Sequence, residues 1–355
     1  MSDKYRIDSH KLIYHVERVS DWQQGKNIYP IYIEASPSGI CNHRCSFCAL
    51  DFMGYQKRFL KTDIFKERLT EMGGLGVKSM MFGGEGEPFL HRDMVEITSH
   101  AGASGIDCAF TTNAVLLSEK NAMGVLPHTS WIKVSISAGT PETYSTIHNT
   151  KPADFERVIE NMKRAAEIKK DNGYSCTLGM QMLLLPENKD EVLSLARISR
   201  EIGMDYLVVK PYSQHPKSDT RQYGSMSYED AEKLAAELHE LDSDEFNVIF
   251  RTRAMKKWDK KDRQYERCLA LPFWSYIDAG GSVWGCSMFL GDEAFNYGNL
   301  YENTFQEIWE GRKRRESLRA VSEMDASECR INCRMDEINI YLWELIHPGE
   351  HVNFI

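Results

Sequence analysis

Residues 31 to 48 read IYIEASPSGICNHRCSFC and join two patterns. Ile31–Ala35 is a short apolar run of β-forming residues, and Cys41, Cys45 and Cys48 follow it in the spacing Cys-x3-Cys-x2-Cys. Further β-rich runs lie at Val77–Phe82, Asp107–Thr112, Trp131–Ser137, Thr177–Leu184 and Tyr206–Lys210. Between them lie Asp63–Met72, Arg92–Ala103, Ser118–Gly124, Asp154–Lys170 and Lys189–Ile202. These carry apolar residues at helical steps, as in Phe155, Val158, Met162 and Ala166. Strands alternating with helices give an α/β fold with parallel crossovers. The alternation alone leaves an open doubly wound sheet and a partial barrel both available.

The chain has 355 residues, 43 Lys+Arg against 52 Asp+Glu, and a formal net charge of −9. That balance argues against a nucleic-acid or anionic-membrane binder. No apolar run reaches the roughly 18 residues of a membrane-spanning helix, and no basic-then-apolar leader opens the chain. A cytoplasmic, reducing location is therefore expected, and there nine cysteines do not read as disulfides. An odd number also cannot pair completely, so metal or catalytic use is the better starting point.

A Cys-x3-Cys-x2-Cys loop wraps three thiolates around one centre. Structural zinc wants four closed ligands, for which His43 is the neighbour on offer; an iron–sulfur cube with three ligands keeps one iron open. CNHRCSFC after the first strand resembles the signature of the radical S-adenosylmethionine (SAM) superfamily, including the aromatic Phe47 before the last Cys. The resemblance implies a partial (β/α)6 barrel over residues 28–255. It also implies a [4Fe–4S] cluster on Cys41, Cys45 and Cys48 whose open iron takes SAM, and a 5′-deoxyadenosyl radical on reduction by a flavodoxin- or ferredoxin-like donor. MMFGGEGEPFL at Met80–Leu90 resembles the family's glycine-rich stretch for the methionyl amine, with Gly83, Gly84, Gly86 and either Glu85 or Glu87 as cofactor contacts. Asn113, Ser135 and Gln181, on strands three to five, are further cofactor candidates. Lys210, Tyr212, Gln214 and His215, just beyond strand six, are substrate candidates.

A helix is expected near Tyr228–Leu241, a strand near Asn247–Phe250, and a charged link at Lys256–Arg267. Cys268 and Cys286 then flank a hairpin around Asp278-Ala279-Gly280-Gly281, which brings the two thiols to one end. Helices near Thr304–Ala320 and Asp336–Ile346 complete the chain, with Cys329 and Cys333 between them. Cys-x12-Gly-x4-Cys plus a later pair resembles the SPASM/twitch extension of radical SAM enzymes. That implies an auxiliary iron–sulfur cluster, of the [4Fe–4S] kind, on Cys268, Cys286, Cys329 and Cys333. The expected divisions are an extension at 1–27, the barrel at 28–255 and a small C-terminal twitch/SPASM-like domain at 256–355. Cys108 and Cys176 belong to neither cluster; the default for each is a small buried hydrophobe, and a hydrogen-atom donor is the functional alternative. The resemblance implies an oxidoreductase or epimerase acting on a sugar-like small molecule (a carbohydrate, aminocyclitol or sugar nucleotide), with a peptide- or protein-modifying maturase as the alternative.

Overall fold

The computed structural model describes residues 4–229 and 231–354; Met1–Asp3 of the expected extension, Asp230 of the expected helix at 228–241, and Ile355 lie outside it. The six expected strands form as β1 (Tyr32–Ala35), β2 (Ser79–Phe82), β3 (Asp107–Thr112), β4 (Thr129–Ser135), β5 (Thr177–Leu183) and β6 (Tyr206–Lys210). β7 (Asn247–Phe250) follows, then β8 (Trp274–Ile277), β9 (Ser282–Trp284) and β10 (Asn296–Asn299). Among the described residues they make one sheet in the order β10-β9-β8-β1-β2-β3-β4-β5-β6-β7. From β8 through β1 to β7 every pairing is parallel; β9 and β10 turn antiparallel. The ends do not meet, so this is a partial barrel.

Strand pleating sorts side chains onto two faces. Ile33 and Ala35, Met80 and Phe82, Cys108 and Phe110, Ile132 and Val134, Met180 and Met182, and Leu207 and Val209 all lie in the main apolar core. Phe65, Leu69 and Met72, Ile97 and Ala101, Val158 and Met162, and Leu195 and Ala196 pack there from the helices. That face is the outer, helix-covered one. The alternate residues Tyr32, Glu34, Met81, Thr111, Lys133, Ser135, Gln181 and Lys210 therefore share the concave face.

The C-terminal hairpin is continuous with this sheet. β8 pairs with β1 from Tyr32↔Trp274 to Ala35↔Ile277, and the main core runs on through Val283, Leu300, Phe305 and Trp309. The expected charged link begins inside a helix, Thr252–Lys260. Its lysines hide the pattern: Ala254, Met255 and Trp258 are buried, and Trp258 Nε1 donates to the Met226 carbonyl at 2.7 Å. The helix expected at 304–320 is two, Phe305–Trp309 and Arg312–Glu323, parted at Gly311. A helix at Pro141–His148, capped by Thr140, follows β4 and was not expected. No helix among the described residues is long and apolar enough to cross a membrane.

Candidate active site

The cysteine loop leaves the end of β1 and is buttressed by the glycine-rich loop after β2. Glu87 N–H donates to Ile40 O at 2.9 Å, and Gly83 N–H to Ala35 O at 3.0 Å. A Cβ on Gly86 would lie 2.1 Å from Ile40 O and 2.5 Å from Ser38 O, and one on Gly84 2.2 Å from the Tyr276 hydroxyl. Gly84 also has φ +98°, which disfavours any side chain. At these two glycines protein backbone and Tyr276 fill the space that a Cβ would take. At Gly83 a Cβ would meet neighbours only at 3.3 Å and beyond. Gly86→Ala should lower stability by ~2 kcal/mol and impair loading of the cysteine loop, because a backbone carbonyl cannot yield. Gly74→Ala, with no atom within 4 Å of the added Cβ, is the control. Thermal melts and iron content of both variants check this.

The two acids of the loop separate cleanly. Both oxygens of Glu85 are committed: Arg58 donates to Oε2 at 2.7 Å and Ala279 N–H to Oε1 at 3.0 Å. Arg58 also lies 3.8 Å from Asp278, so Glu85 ties the loop to the C-terminal hairpin and is corrected from a cofactor contact to a structural one. Glu87 turns the other way. It is 2% exposed and accepts from Thr112 Oγ1 at 2.5 Å, Asn113 N–H at 2.8 Å and Phe89 N–H at 3.2 Å. Burial outweighs these donors and pushes its carboxyl up to about 7. Asn113 Nδ2 donates to Asn42 Oδ1 at 2.8 Å and lies 3.9 Å from Cys41 Sγ, so Glu87 and Asn113 stand beside the cysteine loop.

Cys41, Cys45 and Cys48 lie close enough for the charge on one to disfavour charge on another. Burial pushes Cys41 up to about 12 and raises Cys45 and Cys48. Three half-buried thiols that resist ionising alone fit a metal cluster, whose positive charge supplies the missing stabilisation. His148 orders this loop. Ser137 N–H donates to its Nε2 at 3.1 Å, which leaves the proton on Nδ1, 3.1 Å from Cys45 Sγ. Burial lowers His148 to about 3, so the ring is neutral. Phe47 packs edge-on against the same ring, with centroids 5.4 Å apart. One donor atom each from His43, Cys45 and His148 lie within 4.8 Å of one another, so the histidines crowd the single thiol Cys45.

The four later cysteines converge on one pocket, lined by Cys268, Cys286, Cys329 and Cys333 with Leu271, Trp274, Phe289, Val321 and Met335. Four thiols in an apolar cradle suit an iron–sulfur cluster. Asn339 orders the pocket: its Oδ1 accepts from Leu269 and Ala270 N–H, and its Nδ2 lies 3.6 Å from Cys268 Sγ.

On the concave face Ser135 and Gln181 are register partners across β4 and β5. Arg334, one residue after Cys333, crosses to the same face. Its Nε lies 3.1 Å from Glu34 Oε2, and Nη1 lies 3.1 Å from the Tyr32 hydroxyl and 3.6 Å from Met81 Sδ. Lys210 ends β6 on this face. Its three expected companions are occupied elsewhere, which corrects them. Tyr212 is in the core, with its hydroxyl on Gln214 at 3.0 Å, and Gln214 Nε2 bonds the His215 and Thr220 carbonyls. His215 is fully buried, stacks on Phe52, accepts from Lys217 N–H at Nδ1 and donates from Nε2 to Ser287 O at 3.2 Å. Ser218, Asp219 and Thr220 then bond Asp51, so the segment after β6 straps the cysteine loop to the hairpin.

Burial lowers His215 to about 4, below its unfolded value of 6.5, so the folded strap binds protons less readily than the unfolded chain. Its contribution is complete above pH 6.5 and is lost as pH falls toward 4, by up to ~3 kcal/mol. Melting curves across that window should show the wild type losing stability relative to His215→Phe, with the two converging in slope above pH 6.5.

Cys108 and Cys176 are fully buried in the helix-facing core; Cys108 Sγ lies 3.7 Å from Thr98 O and Cys176 Sγ 3.8 Å from Thr177 O. Neither reaches the concave face, which corrects their place as hydrogen-atom donors. Lys133, Arg334, Glu34, Arg58 and His148 were missed. Lys133 was legible in principle, as a charge at an inward step of an apolar strand.

Residues 35–198 match the radical SAM superfamily, and residues 268–334 match the SPASM iron–sulfur cluster-binding domain. A GTP 3′,8-cyclase of Stenotrophomonas maltophilia is 30% identical over 194 residues, 51% of this chain and 52% of that protein. A dTDP-4-amino-4,6-dideoxy-D-glucose ammonia-lyase of Streptomyces venezuelae is 25% identical over 175 residues, 48% of this chain and 36% of that protein. The chain thus spans about half the length of the GTP cyclase it matches. Streptococcus suis SuiB bound to its precursor peptide SuiA shares the fold with a TM-score of 0.66 at 18% identity, covering 87% of this chain and 71% of that one.

Proposed function

For this chain, a radical SAM domain followed by a SPASM iron–sulfur domain, we propose oxidation of a CH–OH group in a hydroxyl-rich small molecule, a carbohydrate, aminocyclitol or sugar nucleotide. The observation that carries this reading is the adjacency of Cys333 and Arg334. The first lines the auxiliary-cluster pocket, and the second bonds Glu34 and Tyr32 on the concave face. An electron acceptor held at Cys333 would therefore adjoin the substrate space. When bound, the two clusters and SAM supply a hydrogen-abstracting radical and that acceptor. Loss of one hydrogen atom from carbon, one proton from oxygen and one electron leaves a ketone. The chain's own part is to hold the substrate and take the proton. Ser135 and Gln181, register partners on that face, are kept as cofactor contacts, and Glu34 is a carboxylate of that face placed to accept the O–H proton. Both non-cluster thiols lie in the outer core, which favours oxidation over a thiol-dependent epimerisation. The relatives named for GTP and for a dTDP-sugar make a nucleotide-linked substrate a natural first choice.

The test is anaerobic turnover of reconstituted protein with SAM, a one-electron reductant such as flavodoxin or ferredoxin, and a panel of sugars and sugar nucleotides. The expected result is 5′-deoxyadenosine in step with a product two electrons more oxidised and free of solvent deuterium. A redox-neutral product carrying solvent deuterium would remove the oxidation reading, and turnover of peptides alone would replace the substrate class.

A further inference from the structure

We propose that Asn339 and Trp274 donate N–H hydrogen bonds to sulfur of the auxiliary cluster, and that with the charge of Arg263 they raise its reduction potential and make it an electron acceptor. The inference rests on the functional reading above, in which an acceptor at Cys333 takes the electron released with the O–H proton and passes it to an external one-electron carrier. It starts from two buried donors. Asn339 is 2% exposed, and its amide has one orientation. Oδ1 must face the N–H groups of Leu269 at 2.7 Å and Ala270 at 3.0 Å, which turns Nδ2 toward Cys268 Sγ at 3.6 Å. Trp274 is also 2% exposed and lines the four-thiol pocket, and its Nε1–H is buried with no acceptor among the described residues. The Tyr32 ring stacks on it, with planes 13° apart.

A buried N–H left unpaired is costly, so this indole calls for an acceptor. Asp325, the carboxylate of the pocket lining, is exposed and accepts from Ser327 N–H, which leaves sulfur as the acceptor the pocket provides. Arg263 lines the same pocket and is fixed over the loop that carries Cys329. Its Nη1 donates to the Tyr265 hydroxyl at 2.8 Å, and Nη2 to the Cys329 and Arg330 carbonyls at 3.0 and 3.3 Å. Its Nε is unpaired, but so are those of Arg58 and Arg314, so its part is a fixed positive charge. A cluster on four thiolates is a net anion, and one-electron reduction adds a further negative charge. N–H donors and a cation therefore stabilise the reduced form more than the oxidised one, and apolar surroundings strengthen the effect.

The experiment is an anaerobic potentiometric titration of the reconstituted full-length protein, followed by electron paramagnetic resonance with and without SAM. The auxiliary cluster is the signal that SAM leaves unchanged. Trp274→Phe removes the N–H and keeps an aromatic ring; Asn339→Asp keeps the acceptor for Leu269 and Ala270 and removes the donor. In each, the ratio of reduced to oxidised auxiliary cluster at the wild-type midpoint should fall several-fold. Together they should lower it about tenfold, ~59 mV for one electron. The SAM-responsive signal should keep its midpoint, and iron should stay at about eight per chain. Trp274→Phe changes no charge, so an unchanged auxiliary midpoint in that variant overturns the proposal. Loss of auxiliary iron in both variants overturns it too, by making the two residues supports of the pocket; where one variant alone fails to load, the midpoint of the other decides. A lowered midpoint in a protein that oxidises no hydroxylated compound fails the functional reading and leaves the tuning standing.

Discussion

Replacing Cys41, Cys45 and Cys48 together with Ala is expected to abolish SAM cleavage and to leave the auxiliary cluster in place. The two thiol groups are built separately. The first three belong to a loop held by the glycine-rich stretch and by His148, whereas the other four share an apolar pocket with Trp274, Phe289 and Met335. No side chain of the second pocket comes from the first loop. Iron per chain should therefore fall from about eight to about four, with the remaining spectrum that of a fully ligated cluster. The reciprocal variant, Cys268→Ala with Cys286→Ala, should keep cleavage and lose oxidised product. Persistent 5′-deoxyadenosine in the triple variant would remove the assignment of the first loop, and complete loss of iron would show that the pockets are not independent.

Glu87→Ala is expected to be the most damaging single change outside the cysteines. It strips the acceptor from Thr112 Oγ1 and from the backbone N–H groups of Asn113 and Phe89, all in a site closed to water. Orphaned buried donors cost about 1–3 kcal/mol each, and partial relaxation brings the sum to ~3–5 kcal/mol. The same change frees Asn113 from its place next to Cys41, so SAM affinity should drop along with stability. Glu87→Gln keeps the shape and one acceptor oxygen but turns an amide N–H toward a donor, and should fall between the two. Melting temperature and SAM binding in the three proteins decide it. An Ala variant that melts and binds like the wild type would reduce Glu87 to a bystander and return the cofactor role to an open question.

Glu85 and Glu87 show where sequence reading stops. GEGEP places two acids in one loop, and alternation along a chain says nothing about which one meets Arg58 and which meets Thr112. That is set by β8 and β3, elements far apart in sequence. The strands themselves were legible because short apolar, β-forming runs alternate with segments of helical period, and the cysteine groups because their spacing is local. Arg334 was not legible: it is one of several arginines in a charged C-terminal stretch, and only folding brings it to Glu34. Tyr212, Gln214 and His215 misled for the converse reason. A polar cluster after a parallel strand commonly serves ligands, but here burial recruits it as a strap. Helix Pro141–His148 is short and capped by Thr140, and its apolar positions, Tyr144 and Ile147, are too few to show a period.

The pairing of β8 with β1 also bears on how the chain reaches this state. Ser36 and Tyr276, which meet across that seam, are 240 residues apart. During synthesis β1 emerges early, and one of its edges stays without a partner until the hairpin leaves the ribosome. An exposed parallel edge is slow to close and prone to wrong pairing. The Glu85–Ala279 and Arg58–Asp278 contacts cannot form earlier either. Iron delivered before that moment would meet a half-walled loop. Assembly is thereby ordered in time: the reactive centre matures only after the last third of the polypeptide has docked, and chains cut short before the hairpin should misassemble without ever becoming oxidatively dangerous.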